Sequence, residues 1–431
     1  MRAEVGVAER ASSGSPDAGA TEAPQGQRLH WIDWLRVAAI ASVLAYHTLR
    51  PFNTDDWHVK NSDTSATLNM AMTIFSSFGL AVLFLLAGVG VRFALRKRSW
   101  RTFIRERTTR LLVPFVAGTL LLSPIQGWLE ATQKGTTPNP AVDLVGWWST
   151  VIAWALARGF SPTVFGVGYH LWFLGFLFGI SVVALPLCLW LLGARGRGVV
   201  DGLARRLDWP GSSLAFVVPI YVLMGIGTIF GTEEHDWLEF AWYFGYFVAG
   251  FVLLGDRRLI DGVRRDLWIA LPTAVVATVL IVAGIPVPLD DLGSAEVPQR
   301  LATGALFALE GWTWTLVVLN LGLRAGRLQR PVSERVGDAV LPVYVIHQPV
   351  ILAVAFVVVT WPLGITMKWV VLVAISLPVT LLLVALALRI PLTRVLLGTR
   401  VRPSSTTTPA RSAAALTATA PPPEVPGAQA G

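Results

Sequence analysis

The sequence predicts an all-α polytopic membrane protein with about ten transmembrane helices and both termini in the cytoplasm. Three observations lead there. Of 431 residues, 54% are hydrophobic and only 14% charged, a balance too apolar for a soluble chain of this length. Apolar runs long enough to cross ~30 Å of hydrocarbon recur along most of the chain. The segments between those runs alternate in charge.

The runs fall at about 33–50, 68–92, 109–127, 169–193, 212–231, 237–255, 267–285, 301–323, 338–360 and 368–389. The first is short and contains Arg36, so hydropathy alone marks it least clearly. A further apolar stretch, 141–160 (AVDLVGWWSTVIAWALARGF), has Asp143 and Arg158 near its ends. It reads as an interfacial or re-entrant helix, with an eleventh span as the alternative. Residues 1–27 are rich in Ala, Gly, Ser, Pro and Glu, and 403–431 are of similarly low complexity. Both read as disordered tails around one membrane domain at 28–402. The first tail has no apolar core of signal-peptide type.

The loops orient the chain. The segment between the second and third runs holds Arg92, Arg96, Lys97, Arg98, Arg101, Arg105, Arg107 and Arg110. Later alternate loops hold Arg195, Arg197, Arg205 and Arg206, then Arg257, Arg258, Arg264 and Arg265, then Arg324, Arg327, Arg330 and Arg335. With the two tails, this side takes all of the 35 basic residues except Arg50, Lys60, Lys134, Arg158, Arg300 and Lys368. The opposite loops are acidic: Asp55, Asp56 and Asp63; Glu233, Glu234 and Asp236; Asp290, Asp291 and Glu296. Such a bias is the positive-inside rule. It fixes both termini in the cytoplasm and explains the net charge of +8 without any nucleic acid; the expected location is a bacterial inner membrane, with lipid as the surroundings.

The single cysteine, Cys188, allows neither a disulfide framework nor a thiolate metal cluster. Eighteen tryptophans suit interfacial belts, and some could line a polar cavity. There is no GxSxG elbow, P-loop, HExxH or metal-spaced Cys/His cluster. His47 is not followed by Asp five residues on, so the HxxxxD arrangement of soluble acyltransferases is absent.

Ionisable groups inside spans are costly and each needs a reason. The first run, WIDWLRVAAIASVLAYHTLR, carries Asp33, Arg36 and His47. Arg36 and His47 are eleven residues apart, about three turns, so they share a face at a separation of about 16 Å. Asp33 is one turn before Arg36 and can pair with it. Taken singly, Arg36 could snorkel to lipid phosphates and His47 could hydrogen-bond a neighbouring helix; together on one stripe they point to function. His347 is mid-span in LPVYVIHQPVIL, one turn after Tyr344 and between Pro342 and Pro349. The prolines suggest a distorted helix lining a cavity, with an interhelical hydrogen bond as the plainer reading. Glu310 is mid-span beside GWTW and is expected to be neutral or paired; a structural role suits it as well as a catalytic one. His170 opens the run at 169–193 in GYHLWFLGF, where it could contact a polar substrate or belong to the belt. His30, His58 and His235 fall in segments expected to be exposed and receive no role.

Four blocks resemble a known family. Arg36 and His47 at R-x10-H, after WIDWLR, are similar to the acyltransferase-3 family of integral membrane O-acyltransferases. FIRERTTRLLVPF (Phe103 to Phe115) resembles its basic loop entering the third helix, and YHLWFL (Tyr169 to Leu174) its fourth-helix signature. GDAVLPVYVIHQPVI (Gly337 to Ile351) resembles the branch that succinylates osmoregulated periplasmic glucans. The likeness covers about 30–390, and 195–300 offers no motif.

The resemblance implies transfer of an acyl group, acetyl or succinyl, from acyl-CoA to a hydroxyl of a carbohydrate or other envelope or secreted acceptor. No bound cofactor or metal is implied, with acyl-CoA as co-substrate. Arg36, Arg107 and Arg110 would bind the CoA phosphates. His47, His347 and Glu310 are the catalytic candidates, with His47 as general base or acyl carrier. His170, Trp172 and Tyr344 are the candidate substrate contacts. A transporter or flippase is the rival reading, with buried Arg, Glu and His as its path, although no internal repeat of the transporter kind is evident.

Overall fold

The structure, a computed structural model, describes residues 30–136, 146–149, 152–153, 156–159, 161–231, 233–288, 294–325 and 331–399. The tails at 1–27 and 403–431 and half of 141–160 lie outside the described residues. Among the described residues there are helices and no strand.

The first helix, α1 (His30–Leu49), has no Gly or Pro in its interior. It tightens into a 3₁₀ turn at Arg50–Phe52, where Pro51 occupies the first turn. α2 (Ala66–Lys97) starts at Ser65, whose hydroxyl accepts the Leu68 N–H, a normal N-cap. α3 (Trp100–Leu121) opens into a π turn at Thr108–Leu112. Pro114 has no N–H to give the Arg110 carbonyl, and the Val113 N–H reaches back to the Thr108 carbonyl instead. Such π bulges concentrate at functional sites. A 41° bend separates α3 from α4 (Ser123–Gln133).

A 3₁₀ segment, Pro162–Leu171, then leads into α5 (Trp172–Val183), α6 (Leu185–Leu192) and α7 (Ala194–Arg206). Another at Ser212–Phe216 leads into α8 (Val217–Phe230). The chain continues through α9 (Trp237–Leu253), α10 (Arg257–Arg265), α11 (Leu267–Val282), α12 (Val297–Ala325), α13 (Glu334–Val358), α14 (Ile365–Ala387) and α15 (Pro391–Leu396).

Each of the ten expected runs falls on a helix. Six helices are long and apolar enough to cross a membrane, or up to eight if each of two bent pairs is one span. The two runs outside that number have plain reasons. α1 carries Asp33 and Arg36 in its first two turns, and α11 has only 16 residues.

α2 runs through the middle of the core and packs along α9. A Cβ at Gly88 would stand 1.9 Å from the Phe247 carbonyl oxygen, and one at Gly250 would stand 2.0 Å from that of Leu85. Only glycine allows this approach, which is the usual way helices gain contact where lipid supplies no hydrophobic drive. α8 and α14 present most of their apolar side chains outward, including Val218, Val222, Ile229, Leu381 and Leu382, as lipid-facing helices do.

Loops of like character meet one another. Arg258 between α9 and α11 pairs with Asp201 of α7 at 2.5 Å. On the acidic loops, Ser161 donates to Asp236 (2.9 Å) and Lys134 to Asp56 (3.0 Å).

Candidate functional site

Three elements distant in sequence bring their histidines together. α1 delivers His47 in its last turn, the 3₁₀ segment delivers His170, and α13 delivers His347. The rings of His47 and His347 are 5.2 Å apart between centroids, those of His170 and His347 5.0 Å, and those of His47 and His170 6.5 Å. His347 is 0% exposed.

The hydrogen bonds assign the tautomers of two rings. His347 Nδ1 is 2.6 Å from the Tyr344 carbonyl oxygen. A carbonyl only accepts, so Nδ1 carries the proton and Nε2 keeps its lone pair. His170 Nε2 donates to the Val345 carbonyl at 3.2 Å, which leaves Nδ1 as the acceptor. Pro349 explains why that carbonyl is available. It lies four residues after Val345 and has no N–H to close the helical bond. The prolines predict a distorted helix; α13 instead stays one helix over Glu334–Val358, and the imidazole of another element fills the gap.

Tyr344 completes the clamp by donating its hydroxyl to the His170 carbonyl. The preceding residue, Tyr169, has φ +54°, a left-handed conformation that costs a bulky side chain about 1–3 kcal/mol and tends to persist at functional sites. Three ring nitrogens, His47 Nδ1, His170 Nδ1 and His347 Nε2, are buried without a hydrogen-bond partner. Buried polar atoms are normally satisfied, and these three nitrogens are left open to a hydrogen bond from a ligand.

The loop at 50–65 packs against this cluster. Trp57 stacks on His47 at 6.2 Å. Lys60 holds the loop by donating to the Arg50 carbonyl (2.9 Å) and Asn53 Oδ1 (3.0 Å), and Arg50 pairs with Asp55 (3.1 Å). Burial pushes the Lys60 amine down to about 8. The hydrogen bond to Glu130 raises Lys134, and the bond from Lys134 lowers Asp56.

His58 requires a correction. Its segment was expected to be exposed, but its side chain is only 21% exposed, and Nδ1 is 2.8 Å from Glu130 Oε2. The ring also stands edge-on to Tyr169 at 4.8 Å. A carboxylate-oriented imidazole beside the cluster is a functional candidate that the sequence hid, because its partner is 72 residues away. His235 is likewise covered: it stacks on Trp172 at 4.3 Å and its Nδ1 meets Glu239 at 3.2 Å.

The cationic group lies towards the other end of α1. Arg36 bonds Asp33 and the Leu86 carbonyl, both at 3.2 Å. Its guanidinium lies over Gly90, where a Cβ would be 2.8 Å from Nη2. Arg107 is within electrostatic reach of both Arg36 and Arg110, and stacks over Phe103 at 5.1 Å. Arg110 lies within the π turn at 108–112, three residues after Arg107.

Other sequence candidates are placed elsewhere. Glu310 is buried in α12 and accepts from Thr278 at 3.0 Å, next to Trp314; among the described residues no ring contact or hydrogen bond joins it to the imidazoles. Trp172 turns to His235, Phe176 and Tyr243. Tyr344 is in the cluster, with its hydroxyl engaged by His170. Among the described residues no group of three or more His, Cys, Asp or Glu is arranged to hold a metal ion.

A family model described as an acyltransferase domain matches residues 29–389. No curated protein and no solved structure matches the chain.

Proposed function

The chain belongs to the acyltransferase-3 family, and from that premise we propose that it moves an acetyl or succinyl group from acyl-CoA to a hydroxyl of a carbohydrate or other envelope or secreted acceptor. That it is an acyltransferase follows from the family; donor, acceptor and orientation are our reading. The observation that supports it most is the layout of α1, which joins a guanidinium group at one end to an imidazole cluster at the other.

CoA carries several phosphate charges, and Arg36, Arg107 and Arg110 would bind them with planar, bidentate donors. The pantetheine arm would then run along the α1 face and bring its thioester to His47. An imidazole nitrogen of His47 takes the acceptor hydroxyl proton while the oxygen attacks the thioester carbon. The tetrahedral intermediate collapses with cleavage of the C–S bond, and the imidazolium returns the proton to the CoA sulfur. His347, with Nε2 left as an acceptor, lies close enough to hold or relay that proton. The alternative, an acyl-imidazole on His47, uses the same residues in two steps.

Both termini would face the cytoplasm of a bacterial inner membrane, which puts the arginines on the side where CoA is found. A reporter active only in the periplasm should be active when fused at 55–63 or 233–236 and silent at 98, 200 and 260; activity at 98 would reverse the donor side. The function itself is tested with purified protein in lipid, given acetyl-CoA or succinyl-CoA and a glycan mixture. Acceptor-dependent CoA release with formation of an acyl ester is expected. No release with either donor would overturn the proposal.

A further inference from the structure

A second set of buried polar groups adjoins the imidazoles, and the transfer chemistry does not use it. Ser123, Gln126 and Glu130 recur at i, i+3 and i+7 along α4, the spacing of one helical face, and Thr119 stands just before the bend, near the end of α3. Glu130 is engaged with His58. The other three are buried, at 5%, 0% and 0% exposure. α4 packs on α13, where Gln348, 1% exposed, follows His347 directly. Gln348 Nε2 donates to Gln126 Oε1 at 3.1 Å. What remains unpartnered is the Gln126 amide nitrogen, the Gln348 amide oxygen and the hydroxyls of Thr119 and Ser123.

This remainder has a definite pattern. Two amides joined by one hydrogen bond leave one N–H₂ and one C=O side by side, whichever way the pair is turned. A hydroxyl is complementary to such an edge, since it accepts from the nitrogen and donates to the oxygen. Two further hydroxyls, one on that face and one just before the bend, suit a ligand with more than one. Four unsatisfied buried polar groups among the described residues would be a heavy cost without a ligand or water to satisfy them. Thr119 also lies beside the His170 segment, where a Cβ on Gly168 would be 3.0 Å from its Oγ1.

We propose that Gln126 and Gln348, with Ser123 and Thr119, form a subsite that holds a non-reacting hydroxyl of a polyhydroxylated acceptor, so that a neighbouring hydroxyl reaches the imidazole cluster. The inference rests on the acyl-transfer reading. Position favours the acceptor over the donor's pantetheine amides. A donor anchored on Arg36 brings its thioester to His47, about 16 Å along α1. Gln348 directly follows His347, whose ring is 5.2 Å from that of His47, so the amides stand beside the point where the thioester ends and the acceptor must sit.

The test uses the full chain in lipid nanodiscs, with acetyl-CoA as donor and methyl α-D-glucopyranoside or cyclohexanol as acceptor. The double variant Gln126→Met/Gln348→Met removes both amides together, so that neither is left orphaned. Two quantities are read: the thermal stabilisation given by each alcohol, and the ratio of kcat/KM for glucoside to that for cyclohexanol. The glucoside should stabilise the wild type, and the double variant should lose that shift. The ratio should fall about 10–100-fold, because a site built to hydrogen-bond a hydroxyl discriminates through it. Ser123→Ala, a milder change that keeps the amide pair, should lower the ratio several-fold. Stabilisation of the wild type without any acyl transfer would uphold the subsite and overturn the transfer reading. Transfer with an unchanged ratio in the variants, or no stabilisation of the wild type, would overturn the subsite alone. Weakened CoA binding in the double variant with the ratio intact would also overturn it and assign the amides to the donor.

Discussion

At the Arg36 end of α1 the side chains are long and charged, and the Arg36 side chain is 38% exposed. At the His47 end they are rings locked between helices, with His347 and His170 each tied to a backbone carbonyl of α13. The contrast matches two physical tasks. A flexible, multiply charged ligand is held by several cations whose planar forks meet its phosphates. A proton moved between heteroatoms needs fixed tautomers and short, directed contacts. One helix carrying both therefore fixes their spacing, with Arg36 held by Asp33 and the Leu86 carbonyl and the imidazoles by carbonyls of α13.

This comparison can be broken at either end. After loss of His47 itself, His347→Ala should have the largest effect, a loss of about 10²-fold in turnover with acyl-CoA affinity retained; equal loss of both would mean the histidine merely supports the fold. Arg36→Ala should weaken acyl-CoA binding by about 10–100-fold, in the range of one desolvated charge-assisted contact. Arg36→Lys should weaken it less, since the charge persists without the planar fork. Unchanged affinity in both would reduce Arg36 to an anchor for α1. Tyr344→Phe removes the hydroxyl that holds the His170 carbonyl. Turnover should fall about tenfold with KM for the donor steady, and a KM effect alone would place Tyr344 on the ligand instead.

The smallest expected effect concerns the covering loop. The Lys60 amine, pushed down to about 8 by burial, should react with an amine-directed acylating reagent with a midpoint near that pH. Lys134 is raised by its bond to Glu130, so its labelling should begin only at higher pH. Mass-spectrometric labelling between pH 7 and 11 reads both. The same high midpoint at the two lysines would show that the loop does not pack as described.

The sequence made one half of this arrangement legible and hid the other. Arg36 and His47 share a helix, so a count of residues per turn puts them on one stripe. Apolar runs likewise mark nearly every helix. The partners across helices follow no local period. Gln126 and Gln348 are 222 residues apart and His58 and Glu130 72, and each is unremarkable in its own segment. Pro349 was readable as a break in α13, but not the use of the freed Val345 carbonyl by His170. Trp172, next to His170 but one in YHLWFL, faces His235 instead, because a 3₁₀ segment gives way to an α-helix between them.

The central claim is that the imidazoles gathered at the end of α1 handle the proton of acyl transfer, and His47→Gln tests it most directly. Glutamine can keep a hydrogen bond and much of the ring's volume, but it cannot take up a proton. With well-assembled protein in lipid, acyl-ester formation from acyl-CoA should fall about 10²–10⁴-fold while acyl-CoA affinity stays near that of the wild type. Turnover close to wild type in that variant would contradict the account.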